Sequence, residues 1–197
     1  MPPLKRVCVF CGSSSGARAA HRDAAAQLGR ALATRGIGLV FGGGRTGLMG
    51  IVADAALAAG GHVTGVIPHA MIARELAHEG LQDLRVVSSM HERKAMMAEL
   101  SDAFIAAPGG FGTFEELCEV ITWTQLGLHR KRCGLLNVEG FYDPFLQLIG
   151  RAVEDGFIRA DGTGLLVSDA DPSALLTRLS EPFGVSGSVW LVDPEET

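Results

Sequence analysis

The sequence predicts an α/β protein of Rossmann-like class. It would be a doubly wound, mostly parallel sheet of about seven strands with helices on both faces. Three observations carry this. Apolar runs alternate with helical patterns along the whole chain of 197 residues, as βα repeats require. The runs are continuously apolar rather than alternating, as in strands covered on both faces. Glycine ends most of the helical patterns, where a left-handed or tight turn is needed. With 47% hydrophobic and 20% charged residues, the chain suits one domain over 1–197, with a core from about 5 to 180.

The strand candidates are 6–10, 38–41, 62–67, 84–87, 103–106, 134–138 and 165–167. The first helix, 18–35, is Ala-rich and amphipathic and stops at Gly36. The second, 46–59, stops at Gly60-Gly61. Ser89-x-x-Glu92 reads as a capping box opening a helix over 90–100. The next helix, 113–126, stops at Gly127, and 144–155 carries Pro144 in its first turn and stops at Gly156. A last helix begins after Asp171-Pro172, and the tail VSGSVWLVDPEET reads as irregular.

Composition excludes several classes. The net charge is −5 and the pI about 5.7, and the longest basic run is Arg130-Lys131-Arg132, so no nucleic-acid partner is expected. No apolar stretch reaches the ~18 residues of a membrane span, so no membrane partner is expected. The basic residues and short apolar run of MPPLKRVCVF read as a first strand rather than a signal peptide, and point to a cytoplasmic protein. Cys8 and Cys11 form a CxxC, but Cys118 and Cys133 do not supply the second pair that a zinc site needs. Buried free thiols, with no metal, are the reading.

Three glycine-rich turns each follow a strand and open a helix: CGSSSG (11–16), GGGRTGLMG (42–50) and PGGFGT (108–113). Together they can converge on one phosphate, because helix N-termini offer free N–H groups and partial positive charge. Gly42-x-Gly44-x-x-Gly47 matches the dinucleotide fingerprint. However, the following strand ends in Ile67-Pro68 rather than in the acidic residue that would hold a ribose, so NAD is not expected.

Arg93 lies four residues before Met97 and seven before Leu100, on the inward stripe of its helix. A buried guanidinium needs an anion or several acceptors; the competing reading is a side chain that snorkels past the helix edge. Lys94 lies further round, toward solvent. Gly112 and Glu116 are four apart on one helix face, so Glu116 faces whatever is attached to a phosphate held near Gly110, Gly112 and Thr113. Glu115 shares a different face with Glu119 and reads as a bystander.

These residues carry a resemblance. PGGxGTxxE is matched by Pro108, Gly109, Gly110, Gly112, Thr113 and Glu116, and MHxRK by residues 90–94. FCGSSSG, FGGGRTGLMG, GVIP, TWTQLGLH and GLLNVEGFYD match as well. The sequence resembles the LONELY GUY family of cytokinin riboside 5′-monophosphate phosphoribohydrolases, formerly labelled lysine decarboxylases. The resemblance runs from about Val7 to Ile158, with Ala107 standing where leucine is usual and Arg132 where proline is common. It implies hydrolysis of the N-glycosidic bond of an AMP-like nucleoside monophosphate, without a cofactor. It implies Arg93 and Glu116 as catalytic residues. It implies substrate binding by Gly109, Gly110, Gly112 and Thr113, with Gly43, Gly44, Thr46, Ser13, Met90 and Lys94 completing the set. It also implies a homodimer with the site near the interface, which suits the helix carrying Trp123. A nucleotide or phosphorylated-cofactor carrier is the alternative; it would not need Arg93 and Glu116 facing the ligand. A true lysine decarboxylase would need a pyridoxal-binding lysine, for which no convincing candidate exists.

Overall fold

The computed structural model describes residues 4–72, 77–159 and 164–181. The expected irregular tail lies outside the described residues, apart from its approach at Glu181. Seven strands are formed: β1 (Arg6–Phe10), β2 (Gly38–Phe41), β3 (Val63–Pro68), β4 (Asp83–Val87), β5 (Ala103–Ala106), β6 (Cys133–Leu136) and β7 (Leu166–Asp169). They pair in the order β4-β3-β2-β1-β5-β6-β7, and every pairing is parallel. The helices are α1 (Ala19–Thr34), α2 (Gly47–Ala58), α3 (Met90–Glu99), α4 (Phe111–Gln125), α5 (Asp143–Glu154) and α6 (Pro172–Ser180). Among the described residues no helix is long and apolar enough to cross a membrane.

Successive strand side chains point to opposite faces, and they build two cores. Val7, Val9, Leu39, Phe41 and Ile105 pack with Leu28 and Leu32 of α1, Val52 of α2 and Leu175 of α6. Cys8, Phe10, Val40 and Phe104 pack on the other side with Met97 of α3, Leu117 and Val120 of α4, and Tyr142. The expected doubly wound α/β sheet is thus observed, with helices on both faces. Cys8, Cys11 and Cys133 are buried free thiols and Cys118 is an exposed one.

The chain winds outward from β1 to β4, returns through α3 to β5 beside β1, and then winds outward the other way. The strand order reverses between β1 and β5, and a crevice opens beyond their carboxyl ends. That crevice is where all three glycine-rich turns gather.

The elements differ from the sequence expectation mainly at their ends. β6 stops at Leu136, because Asn137 (ψ 58) turns the chain into a 3-10 turn, Val138–Gly140, whose Glu139 sits at φ 51. α4 begins at Phe111, two residues early, with extended Gly110 as its N-cap (φ −104). The capping box of α3 is half formed. Ser89 Oγ accepts from Glu92 N–H at 3.1 Å, but the Glu92 carboxylate accepts from Ser88 N–H at 2.8 Å, one residue before the cap. Arg132, where a proline is common in the family it resembles, is buried. Its Nη1 donates to the carbonyls of Arg178 (2.7 Å) and Glu181 (3.1 Å) at the end of α6, a favourable place for a cation.

Candidate active site

The three turns are stitched together through one residue. Gly12 N–H donates to the Pro108 carbonyl at 3.1 Å, and the Gly12 carbonyl accepts from Leu48 N–H at 3.0 Å. Gly47 lies so close that a Cβ there would be 2.3 Å from the Ser13 carbonyl carbon, and its φ of +61 also demands glycine. Fully buried Tyr142 anchors the third turn from below: its hydroxyl donates to the Ala107 carbonyl at 2.8 Å. Burial raises that phenol's pKa above its ordinary value, so it remains a donor.

Two pockets share a wall of Gly12, Ser13 and Gly110. The smaller, 270 Å³, is lined by Cys11, Met49, Met90, Arg93, Gly112, Thr113 and Glu116 among others. The larger, 610 Å³, is lined by the serines of the first turn, Arg18, His21, Pro108, Gly109 and residues 138–141. The mouth of α4 opens between them. Its first-turn N–H groups, on Phe111, Gly112 and Thr113, precede the first helical bond, which Phe114 N–H makes to the Gly110 carbonyl. A Cβ at Gly110 or Gly112 would meet nothing within 4 Å, so these two glycines leave room above the helix mouth.

Arg93 is 4% exposed, so the inward reading holds over the snorkelling one. Its Nη2 donates to the Gly42 carbonyl at 3.0 Å and its Nη1 to Met90 Sδ at 3.7 Å. Glu116 lines the same pocket. The fully buried Cys8 thiol of β1 registers both charges. Burial pushes its pKa well up, Glu116 pushes it further up, and Arg93 pulls it down. Burial and Glu116 also raise the Cys11 thiol, so neither cysteine offers a thiolate to the site.

Lys94 stands elsewhere. It lines neither described pocket. Its Nζ donates to Glu115 and, at 3.0 Å, to Glu119, and its side chain is 10% exposed. Burial lowers its pKa, but the bonds to Glu115 and Glu119 outweigh that and raise it. Glu115 and Glu119 do share a face, and Glu115 also lines the smaller pocket beside Glu116. They bind Lys94 and so tie α4 to α3.

The other expected residues divide. Ser13, Met90, Gly110, Gly112, Thr113 and Glu116 line the smaller pocket, and Gly109 the larger. Thr113 is 3% exposed and lies under Gly109, where a Cβ would come 2.1 Å from its Oγ1. Gly43, Gly44 and Thr46 line neither pocket. Gly43 (φ +78) packs on Ile67 and Leu84 of the neighbouring strands. Gly44 bridges Ala77. Thr46 is the N-cap of α2. Sequence reasoning missed the wall of the larger pocket formed by His21, Glu139 and Phe141. The available signal for Glu139 and Phe141 was the GLLNVEGFYD match, whose strand neighbours β5; His21 lies outside that match, in α1. Among the described residues, no cluster of three or more His, Cys, Asp or Glu is placed to hold a metal.

Comparison with known proteins follows the same line. Residues 49–179 match the family model described as possible lysine decarboxylase. The chain is 53% identical over 189 residues to the rice (Oryza sativa subsp. japonica) protein named cytokinin riboside 5′-monophosphate phosphoribohydrolase LOG, covering 95% of this chain and 78% of that one. It is 51% identical over 178 residues to an Arabidopsis thaliana protein of the same activity name, LOG1, covering 90% and 84%. Among solved structures, the molybdenum cofactor carrier protein of Chlamydomonas reinhardtii superposes with a TM-score of 0.66 at 21% identity over 87% of this chain and 93% of that chain. The molybdenum cofactor binding protein of Rippkaea orientalis superposes with a TM-score of 0.63 at 20% identity over 87% and 93%. These structural likenesses establish a shared fold.

Proposed function

This chain belongs to the family described as possible lysine decarboxylase, within its cytokinin riboside 5′-monophosphate phosphoribohydrolase members, and we propose from that premise how its site works. It is an enzyme that hydrolyses the N-glycosidic bond of adenosine 5′-monophosphates, N6-modified or plain, releasing free base (cytokinin or adenine) and ribose 5-phosphate. The observation that carries the assignment of the site is the buried Arg93 lining one pocket with Glu116 at the mouth of α4. A carrier needs only a phosphate seat. It has no use for a buried cation and a carboxylate facing the sugar.

The substrate's phosphate sits at the α4 N-terminus, held by the N–H groups of the first turn over Gly110 and Gly112, with Ser13 and Thr113 beside it. Phosphate binding fixes the ribose, so that remote binding energy serves orientation. Cleavage of the C1′–N bond passes through an oxocarbenium-like sugar. The Glu116 carboxylate, favoured in its ionised form by the helix N-terminus, stabilises that cation or draws a proton from the attacking water. Arg93 orients Glu116 or meets the charge developing on phosphate or leaving base. A decarboxylase reaction through a lysine Schiff base is disfavoured, because none of Lys5, Lys94 and Lys131 lines either described pocket.

The buried free thiols accord with a reducing, cytoplasmic setting. For the assembly we propose a homodimer with the site near its interface. The support is Phe111 and Met90, which rim the smaller pocket while 93% and 42% exposed.

The test is to incubate purified protein with AMP and with N6-isopentenyl-AMP and to follow free base by chromatography. Base release is expected. No release from either nucleotide sinks the hydrolase reading. Glu116→Gln should lower kcat by about 10²–10⁴-fold while the protein stays folded. Near-full activity of that variant would remove Glu116 from the mechanism.

A further inference from the structure

Gly42 opens the second glycine-rich turn, and neither phosphate binding nor the dinucleotide fingerprint accounts for it. We infer that Gly42 is a positioning residue for Arg93, an inference that rests on the hydrolase reading above. A Cβ at Gly42 would lie 2.0 Å from Arg93 Nη2 and 3.0 Å from its Cζ, with Met49 Sδ 3.4 Å away on another side. The guanidinium therefore fills the space that any side chain at 42 would take. The Gly42 carbonyl then accepts from Nη2 at 3.0 Å, so one residue supplies both the vacancy and the acceptor that fix the cation's aim.

The main chain does not itself require glycine here. Gly42 is not among the residues with left-handed φ, unlike Gly43 and Gly47. Its neighbours in the turns also differ in what they face. A Cβ at Gly47 would meet Ser13 main chain at 2.3 Å, and one at Gly50 would meet the Arg45 carbonyl oxygen at 2.0 Å. Substitution at those positions must move backbone. At Gly42 the group that must move is the far end of a flexible side chain, which turns aside at small cost to the fold and at large cost to a reaction that depends on its aim.

The experiment compares Gly42→Ala with wild type for kcat, KM and Tm on N6-isopentenyl-AMP, then repeats the comparison in an Arg93→Lys background. A misaimed Arg93 should lower kcat by about 10–100-fold while Tm stays close to wild type. With lysine at 93, whose head does not fill the space beside Gly42, adding Gly42→Ala should change kcat by less than about threefold. Wild-type kcat in Gly42→Ala, or the same fold-loss in both backgrounds, overturns the inference. Should Gly42→Ala fail to fold, a folded Gly42→Ala/Arg93→Lys protein supports it, because Arg93 was then the obstacle. A double variant that is also unfolded overturns it, because the glycine then serves the main chain. Wild-type protein that releases no base sinks the hydrolase reading itself and is told apart from these outcomes by the parallel wild-type assay.

Discussion

Residues 42–50 and 108–113 are two glycine-rich turns that read alike, each leaving a strand and opening a helix, yet their glycines face opposite ways. In the first, Gly42 faces Arg93, Gly43 faces Ile67 and Leu84, and Gly47 faces the backbone of Ser13. Even the N–H of Leu48, in the first turn of α2, is taken by the Gly12 carbonyl. In the second, Gly109 is pressed on Thr113, but Gly110 and Gly112 face open space at the mouth of α4. A glycine-rich turn is therefore not a ligand site by composition. The first turn spends its glycines on bringing the other parts of the site close, and the second keeps room for what arrives.

The sharpest test of this contrast is Gly47→Ala. The left-handed φ and the 2.3 Å approach to Ser13 leave nowhere for the methyl group to go. The substitution should destabilise the fold by about 3 kcal/mol, which lowers Tm by roughly 6–12 °C for a chain of this size. A Tm within about 2 °C of wild type would break the comparison. Gly112→Ala should do the reverse. Stability should hold or rise, by at most about 1 kcal/mol, while calorimetric affinity for AMP falls about tenfold, because the methyl enters the space above the helix mouth. Unchanged affinity with full stability would mean that the second turn does not face the phosphate.

The smallest effect concerns the pH at which those stabilities are compared. Burial, assisted by the positive charge of Lys131, lowers the His129 pKa to about 4. The unfolded chain, with an ordinary imidazole near 6.5, binds more protons between those values. The neutral, packed imidazole therefore contributes stability above about pH 6.5 that is lost as pH falls through about 4. His129→Phe should flatten the dependence of Tm on pH across that window, whatever it does to Tm at pH 7. An unaltered slope would assign the acid limb to other groups.

Much of the frame was legible because it is written locally. Glycine at 36, 60, 127 and 156 marks helix ends, and the apolar runs mark strands. The inward Arg93 followed from helix periodicity alone. What was not legible depends on partners from elsewhere in the chain. Lys94 looked solvent-directed because its carboxylates come from α4, a separate helix. The start of α4 was misjudged because Phe111-Gly112 has weak helix propensity, and the turn is imposed by contacts around Gly109. Which way a glycine faces is a tertiary property, so 42–50 and 108–113 were indistinguishable until the strands were laid in order.

The double role of the Gly12 peptide bears on how this protein can diverge. Surface connections ordinarily accept insertions and deletions. Here one residue gives its N–H to the third turn and its carbonyl to the second, so the three connections cannot change length independently. An added residue in any one would break a bond to another. Variation in loop length among proteins built this way should fall on the opposite edge of the sheet, and new base specificities should arise by exchange of lining side chains rather than by growth of these turns.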